Sequence, residues 1–245
     1  MFGNNNPTLN ENTFGRVSAQ GAHTMTVNGT ITRTVALLFL VASGAIYTWE
    51  SFLRNGVEAM PWMIGGAIGG LVLALITCFK MNWSPVTAPL YAVCEGLLLG
   101  GISAITNQRF PGIVFQAVVL TFGVLFAMLA VYRLGLVRAT DKFRAGLFAA
   151  TGGIALLYLV GFVMGMFGKQ IPYIHESGTI GIIFSVVVVI IAALNFVLDF
   201  DLIERGAESG APKYMEWYGA FALMVTLIWL YLEILRLLSK LRSRN

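Results

Sequence analysis

The sequence contains few charged residues and almost no cysteine or histidine. Only 11% of its 245 residues are Asp, Glu, Lys or Arg, whereas soluble domains carry about 25%. So few charges cannot give a globule of this size a solvated surface, which excludes an ordinary soluble protein. The two cysteines, Cys78 and Cys94, lie in apolar surroundings, which excludes a disulfide-rich secreted scaffold. The net charge of +4 is small and the basic residues are scattered, so we predict no nucleic-acid partner.

Apolar sequence is abundant instead. Hydrophobic residues make up 57% of the chain, and its mean hydropathy is +0.78. Crossing the hydrocarbon core of a bilayer takes roughly 20 apolar residues. Seven stretches are long and apolar enough, and in none of them do apolar and polar residues alternate with a period of two. We therefore predict an all-α integral membrane protein that forms a bundle of seven transmembrane helices. The predicted spans are residues 34–52, 60–79, 86–105, 113–132, 145–167, 179–200 and 218–238.

The amino-terminal segment differs from the rest in composition. It is polar and rich in asparagine, and it lacks a basic stretch followed by a short apolar one, so it does not resemble a cleavable signal peptide. We predict that residues 1–32 form a disordered tail and that residues 33–245 form the transmembrane domain.

Pairs of glycines four residues apart predict close helix contacts in the second, third and fifth spans, because small residues let two backbones approach. These pairs are Gly65 with Gly69, Gly66 with Gly70, Gly96 with Gly100, and Gly161 with Gly165.

The distribution of Lys and Arg predicts the orientation. With a cytoplasmic amino terminus, the outer loops hold only Arg54, Arg109 and Lys169. The cytoplasmic side then holds Arg16, Arg33, Lys80, Arg133, Arg138, Lys142, Arg144, Arg205 and Lys213. We therefore expect a multi-pass protein of a prokaryotic plasma (inner) membrane with its amino terminus in the cytoplasm. Seven full spans also place the basic tail, residues 236–244, outside. Either this tail is translocated against its charge, or the last helix does not cross fully.

Ionisable residues inside the spans each need a physical reason, because insertion costs about 2.5–3.5 kcal/mol per charge. Lys80, Asp199 and Asp201 lie near span ends and could face headgroups and water. Glu233 could pair with Arg236, three residues further along its helix. The third span also contains Glu95, which has no neighbour in sequence to neutralise it.

Three of these spans also carry a family resemblance. Residues 87–103 read TAPLYAVCEGLLLGGIS and resemble the "PLYAxxEGLxLGxIS" segment of bacterial Bax inhibitor proteins, the transmembrane Bax inhibitor motif family. The sixth span ends in LDFDLI, residues 198–203, which resembles that family's aromatic-Asp motif. The seventh contains LYLEILRLL, residues 230–238, which resembles its "LYLDxxxLF" motif. The three motifs occur in the family's order on the corresponding spans.

This resemblance implies a pH-sensitive calcium leak. In the family, two carboxylates from the last two helices share protons beneath a pore that a central helix closes, and a basic residue latches one of them. Carried over by position, Asp201 and Glu233 are the proton-sensing pair and the tentative Ca²⁺ ligands, and Lys80 is the latch. Glu95 and Asp199 are expected to support the polar interior. The expected partners are the lipid bilayer, Ca²⁺, H⁺ and a membrane protein, and no tightly bound cofactor is expected.

The sequence departs from the family pattern in three ways. Glu replaces Asp at position 233, and Lys80 stands where bacterial members often have Arg, which alone forms a bidentate fork. Asp201 and Glu233 are also further apart in sequence than the motif pair usually is. The loop-like segment 206–212 could absorb the difference. If both helices extend instead, each residue adds about 1.5 Å of offset, and Glu216 becomes the substitute partner for Asp201.

Three other functional classes need to be considered. Gly101-Ile102-Ser103 has the Gly-x-Ser form of a rhomboid-type nucleophile, but the only candidate bases are His23 and His175, so we predict that the chain is not an enzyme. A proton-coupled solute transporter would use the interior carboxylates as proton carriers, although inverted repeats are not visible. A non-conducting scaffold that regulates a membrane protease could bind its partner through the polar amino-terminal tail.

Overall fold

A computed structural model describes residues 24–168 and 178–244. This part of the chain forms seven helices that are each long and apolar enough to cross a membrane, which confirms the predicted all-α seven-helix bundle. Short 3₁₀ turns, Gly56–Ala59 and Met81–Trp83, join the first three helices. The helices are α1 (Val27–Asn55), α2 (Met60–Phe79), α3 (Ser84–Arg109), α4 (Ile113–Arg133), α5 (Asp141–Met166), α6 (Thr179–Glu208) and α7 (Met215–Arg244).

Helix α7 forms the centre of the bundle. It packs against α1, α3, α4 and α6, and its side chains supply much of the buried core, including Met224 and Leu230. In contrast, α5 lies at the periphery and leaves Phe148 and Phe162 exposed. Exposed apolar side chains are expected on a helix that faces lipid, because hydrocarbon solvates them. Three charged residues of α7 are buried in the protein interior: Glu216, Glu233 and Lys240.

Glycines in α2 and α3 allow the first three helices to pack closely. A Cβ built on Gly96 would lie 2.4 Å from the carbonyl oxygen of Val41 in α1, and one built on Gly66 would lie 2.5 Å from that of Cys94 in α3. Because backbone atoms cannot move aside, these positions accept only glycine, as the spacing predicts. The fifth span differs, since a Cβ on Gly165 would meet no atom within 4 Å.

The amino-terminal end of α1 lies inside the segment that composition assigns to a disordered tail. Thr26 caps the helix by accepting a hydrogen bond from the Gly29 N–H at 2.9 Å. Met25 is buried, and its N–H donates to the carbonyl oxygen of Ala211 at 2.7 Å. Residues 24–32 therefore belong to the folded bundle, because capping and backbone pairing hold a segment that hydropathy scores as polar. Residues 1–23 of the predicted tail lie outside the described residues.

Helix α7 crosses the bundle completely. The odd-numbered helices begin at one end, which we call the amino-terminal face, and the last turns of α7 lie at the opposite face. There Arg242 donates to the carbonyl oxygen of Pro111 before α4 at 2.8 Å, and Lys240 donates to that of Gly181 at the start of α6 at 3.0 Å. Of the two alternatives for the basic tail, the structure therefore has the full crossing, with the tail at the face opposite the start of α1.

Candidate functional site

Glu233 lies in the second half of α7 with its charge fully paired. The residue is 1% exposed. Both carboxylate oxygens accept hydrogen bonds from Arg236 Nη1, at 2.8 and 2.9 Å, and Oε1 also accepts one from the Tyr158 hydroxyl of α5 at 2.9 Å. The Arg236 guanidinium stacks over the Tyr158 ring at 4.9 Å. These contacts offset the cost of burying the carboxylate, which a single partner rarely does.

Lys240 lies one turn beyond Arg236 and is buried as well. Its Nζ donates to Ser185 Oγ of α6 at 2.9 Å and to the Gly181 carbonyl oxygen. In the sequence this lysine belongs to the predicted basic tail, residues 236–244. Its spacing could have predicted this burial. Lys240 is four positions after Arg236 and seven after Glu233, so the three side chains share one face of the helix.

Asp201 lies near the amino-terminal face at the end of α6. Its Oδ2 accepts hydrogen bonds from Arg144 of α5, at 2.8 Å, and from Arg205 one turn later. The side chain is 18% exposed. It lines a cavity of about 460 Å³ together with Glu204, which accepts a hydrogen bond from the Tyr132 hydroxyl of α4. Asp201 is therefore an ion-paired residue near the bundle surface.

The structure does not bring Asp201 and Glu233 together. Helices α6 and α7 are antiparallel, and two contacts fix their register: Ile203 lies against Gly219, and Ser185 accepts a hydrogen bond from Lys240. In this register Glu233 lies opposite about residue 190 of α6. It is offset from Asp201 by about 11 residues, or about 16 Å along the axis at 1.5 Å per residue. The wide sequence gap between the two motifs reflects helix extension, since α6 continues to Glu208.

Glu216, the substitute partner considered for Asp201, binds α1 instead. The residue is 2% exposed. Its Oε1 accepts hydrogen bonds from the N–H and the hydroxyl of Thr26, at 3.2 and 3.0 Å. Its Oε2 lies 3.5 Å from Arg33 Nη2 and has no hydrogen-bond partner among the described residues. Glu216 thus fixes the start of α1 against the start of α7.

Asp199 faces the central helix near the middle of α7. It forms a side-chain hydrogen bond with Thr226 of α7, while its Oδ2 is buried without a hydrogen-bond partner in the described part of the chain. One turn earlier, Asn195 donates to Thr151 Oγ1 of α5 at 3.0 Å. A buried polar atom left without a partner costs roughly 1–3 kcal/mol, and more for a charged group. Asp199 and Glu216 therefore each have one carboxylate oxygen without a hydrogen bond in the described part of the chain, but only that of Glu216 has an arginine nearby.

Glu95 lies at the same depth as Asp199, on α3. It is half-buried and forms a side-chain hydrogen bond with Tyr91, while Gly70 of α2 leaves the space that its carboxylate fills. Two hydrogen bonds tie α3 to α7: Ser84 Oγ donates to the Tyr214 carbonyl oxygen at 2.9 Å, and Ser103 Oγ and Tyr231 OH lie 2.6 Å apart. Interpolation between them places Glu95 at the depth of about residue 224 of α7, while its carboxylate lies against α2.

The predicted latch is not formed in this conformation. Lys80 is exposed, and its Nζ lies 4.6 Å from the centre of the Trp83 ring. Within residues 24–168 and 178–244 it forms no ion pair with Asp201 or Glu233, whose partners are arginines.

Neither a serine hydrolase site nor a resident metal site is assembled by the described residues. Ser103 Oγ is hydrogen-bonded to the Tyr231 hydroxyl, and both candidate bases, His23 and His175, lie outside the described ranges. No group of three or more His, Cys, Asp or Glu side chains there could hold a metal ion.

Comparison with known proteins gives one match. No curated protein and no solved structure is similar enough to match the chain. The family model described as Bax inhibitor 1 like matches residues 6–243, nearly the whole sequence. The match includes all three motif-bearing helices, α3, α6 and α7, and confirms the resemblance that their sequences carry. The chain is a multi-pass membrane protein and belongs to the Bax inhibitor 1 like family.

Proposed function

We propose that this protein is a pH-dependent calcium leak whose gating depends on protonation of interior carboxyl groups, chiefly Asp199. The observation that carries the proposal is the buried Oδ2 of Asp199, which has no hydrogen-bond partner among the described residues and lies against the middle of the central helix. Family membership supports the same activity, because it is the one that the resemblance implies.

The choice of Asp199 follows from the state of the other carboxylates. Glu233 has both oxygens bound by Arg236, and Asp201 is held by Arg144 and Arg205. Calcium prefers oxygen ligands, and a carboxylate that already accepts hydrogen bonds from arginine must first break them. Glu216 also has an oxygen without a hydrogen bond, but Arg33 lies 3.5 Å from it. Asp199 has such an oxygen and no ion pair among the described residues, and Glu95 lies at the same depth.

The interior acidic groups follow the length of α7. Glu216 lies near the amino-terminal face, Asp199 is level with Thr226 about 15 Å further along, and Glu233 lies about 10 Å beyond that, at 1.5 Å per residue. Because α7 fills the centre of the bundle, calcium passes only when α7 and its neighbours separate. A passing ion would then meet negative charge at successive depths. Protonation removes that charge, so we expect calcium flux to fall as the pH is lowered.

The proposed location is a prokaryotic plasma membrane with the amino-terminal face in the cytoplasm. The full crossing of α7 places four basic residues toward the outer side, which weakens the charge difference between the two faces. Two of them, Arg236 and Lys240, are held inside the bundle by Glu233, Tyr158 and Ser185. They therefore count less as free loop charges in the positive-inside rule.

Calcium entry into liposomes that contain the purified protein tests the activity. We expect entry above that of protein-free liposomes, with a dependence on pH between about 5 and 8, where perturbed carboxyl groups titrate. If the protein passes no calcium at any pH, the leak is wrong. Solute uptake driven by a pH gradient would then favour the transporter, and the absence of both would favour a scaffold.

A further inference from the structure

The amino-terminal face carries a cavity that the proposed leak does not use. It has a volume of about 460 Å³ and lies between the end of α4, the connection from α4 to α5, and the end of α6. Its lining includes Arg133, Arg138, Asp201 and Glu204. A cavity of this size is comparable with sites that hold small molecules.

The charge balance of the cavity favours an anion. Asp201 is neutralised by Arg144 and Arg205, and Glu204 accepts a hydrogen bond from Tyr132. The two remaining arginines, Arg133 and Arg138, are exposed. The lining itself has Arg133 and Arg138 against Asp201 and Glu204, and Arg144 and Arg205, which bond Asp201, add two positive charges beside it.

Arg133 and Arg138 also have unused binding capacity. Neither guanidinium has a hydrogen bond or an ion pair with another described residue. A guanidinium presents five N–H donors in a planar fork that matches a phosphate group. The cavity therefore offers two arginine forks that a phosphate could engage.

Apolar side chains beside the arginines indicate what kind of phosphate binds. Leu134 and Leu136 are 74% and 72% exposed, and they lie between the two arginines in the connection that follows a membrane-spanning helix, whose last residue is Arg133. Leucines that are exposed beside the end of a membrane-spanning helix can contact acyl chains, whereas long arginine side chains can reach the headgroups. Basic pockets between transmembrane helices are suited to anionic lipid headgroups.

We propose that this cavity binds the phosphate headgroup of an anionic phospholipid, with Arg133 and Arg138 on the phosphate and Leu134 and Leu136 against the acyl chains. The lipid comes from the leaflet at the amino-terminal face. This site is independent of the calcium leak, because none of the four residues contacts Asp199 or Glu233 in the described structure.

Native mass spectrometry of the full chain in a non-ionic detergent, titrated with phosphatidylglycerol, tests the proposal. We expect the double variant Arg133→Gln/Arg138→Gln to weaken phosphatidylglycerol binding by about 30-fold. The control is Arg54→Gln/Arg109→Gln, which removes the same charge from two exposed arginines at the opposite face and should leave binding unchanged. Equal binding by the two double variants would overturn the proposal.

A second pair of measurements separates lipid from free phosphate. Leu134→Asn/Leu136→Asn keeps both arginines, so we expect it to weaken phosphatidylglycerol binding and to leave any binding of inorganic phosphate unchanged. If inorganic phosphate binds the wild type as tightly as phosphatidylglycerol does, and the leucine substitutions have no effect on either, the ligand is a free phosphate and the lipid assignment is wrong. Unchanged circular dichroism would show that each variant is folded.

Discussion

The two halves of α7 bury a glutamate in different ways. Glu216, in the first turn, is held by the backbone and hydroxyl of Thr26, and one of its oxygens has only Arg33 at 3.5 Å. Glu233, near the other end, has both oxygens in short hydrogen bonds with Arg236 and a further bond from Tyr158. The two carboxylates are almost equally buried, so the difference lies in their partners.

The contacts of Glu216 position one helix against another, whereas those of Glu233 neutralise its charge. The partner of Glu216 comes from α1, so the interaction joins two helix ends. The main partner of Glu233 comes from the same helix, so its charge stays compensated when α7 moves relative to its neighbours. The second arrangement would suit the movement of α7 that the proposed leak requires, because no buried charge is left alone.

Removing the partner of Glu233 should have the largest effect on stability. Arg236→Met leaves a carboxylate buried with one tyrosine, and we expect the free energy of unfolding to fall by about 3 kcal/mol. Glu233→Gln/Arg236→Met removes both charges and should recover most of that loss. Unfolding of the purified protein in detergent measures both. A double variant as unstable as the single one would show that packing of Arg236, rather than charge pairing, is what stabilises this region.

Crowding Glu216 should have an intermediate effect. In Gly29→Ala, the new Cβ would lie 2.0 Å from Glu216 Oε1, so the carboxylate must leave Thr26 and lose its hydrogen bonds. We expect a loss of about 2 kcal/mol in the same unfolding assay. Gly65→Ala is the matched control, because its Cβ would meet no atom within 4 Å. Equal stability of the two alanine variants would contradict the role of Glu216 in anchoring α1.

Neutralising Glu216 should have the smallest effect. Glu216→Gln keeps an oxygen acceptor for Thr26 and removes a charge whose pairing with Arg33 is long, so we expect a change within about 1 kcal/mol. Glu233→Gln removes a closely paired charge and should destabilise the protein more, by the same measurement. A larger loss from Glu216→Gln than from Glu233→Gln would reverse the comparison between the two halves of α7.

The sequence predicted the architecture well because each helix that crosses lipid must be a long apolar stretch, which composition alone reveals. Seven apolar stretches gave seven helices, and the pairing of Glu233 with Arg236, which their spacing left open, is formed. The helix ends were predicted less well: α1 begins at Val27 and α6 continues to Glu208, beyond the apolar stretches. Capping and contacts outside the hydrocarbon extend these helices, and hydropathy does not register either effect.

The candidate site was harder to predict because it depends on helix rotation and register. Asp199 and Asp201 are two residues apart and point in different directions on α6, so packing alone decides which of them faces α7. The contact between Thr26 and Glu216 joins residues 190 positions apart, for which the sequence carries no local signal. The family motif correctly marked α6 and α7, but these helices extend so far that the two motif carboxylates are at different depths.

The central claim is tested most directly by comparing Asp199→Asn with Asp201→Asn in the assay of calcium entry into liposomes, scanned across pH. The two residues are neighbours on one helix and lose the same charge, but only Asp199 faces α7 with a buried Oδ2 that lacks a hydrogen-bond partner among the described residues. We predict that Asp199→Asn flattens the pH dependence of calcium flux, whereas Asp201→Asn retains it. A flat profile for Asp201→Asn together with a wild-type profile for Asp199→Asn would contradict the account.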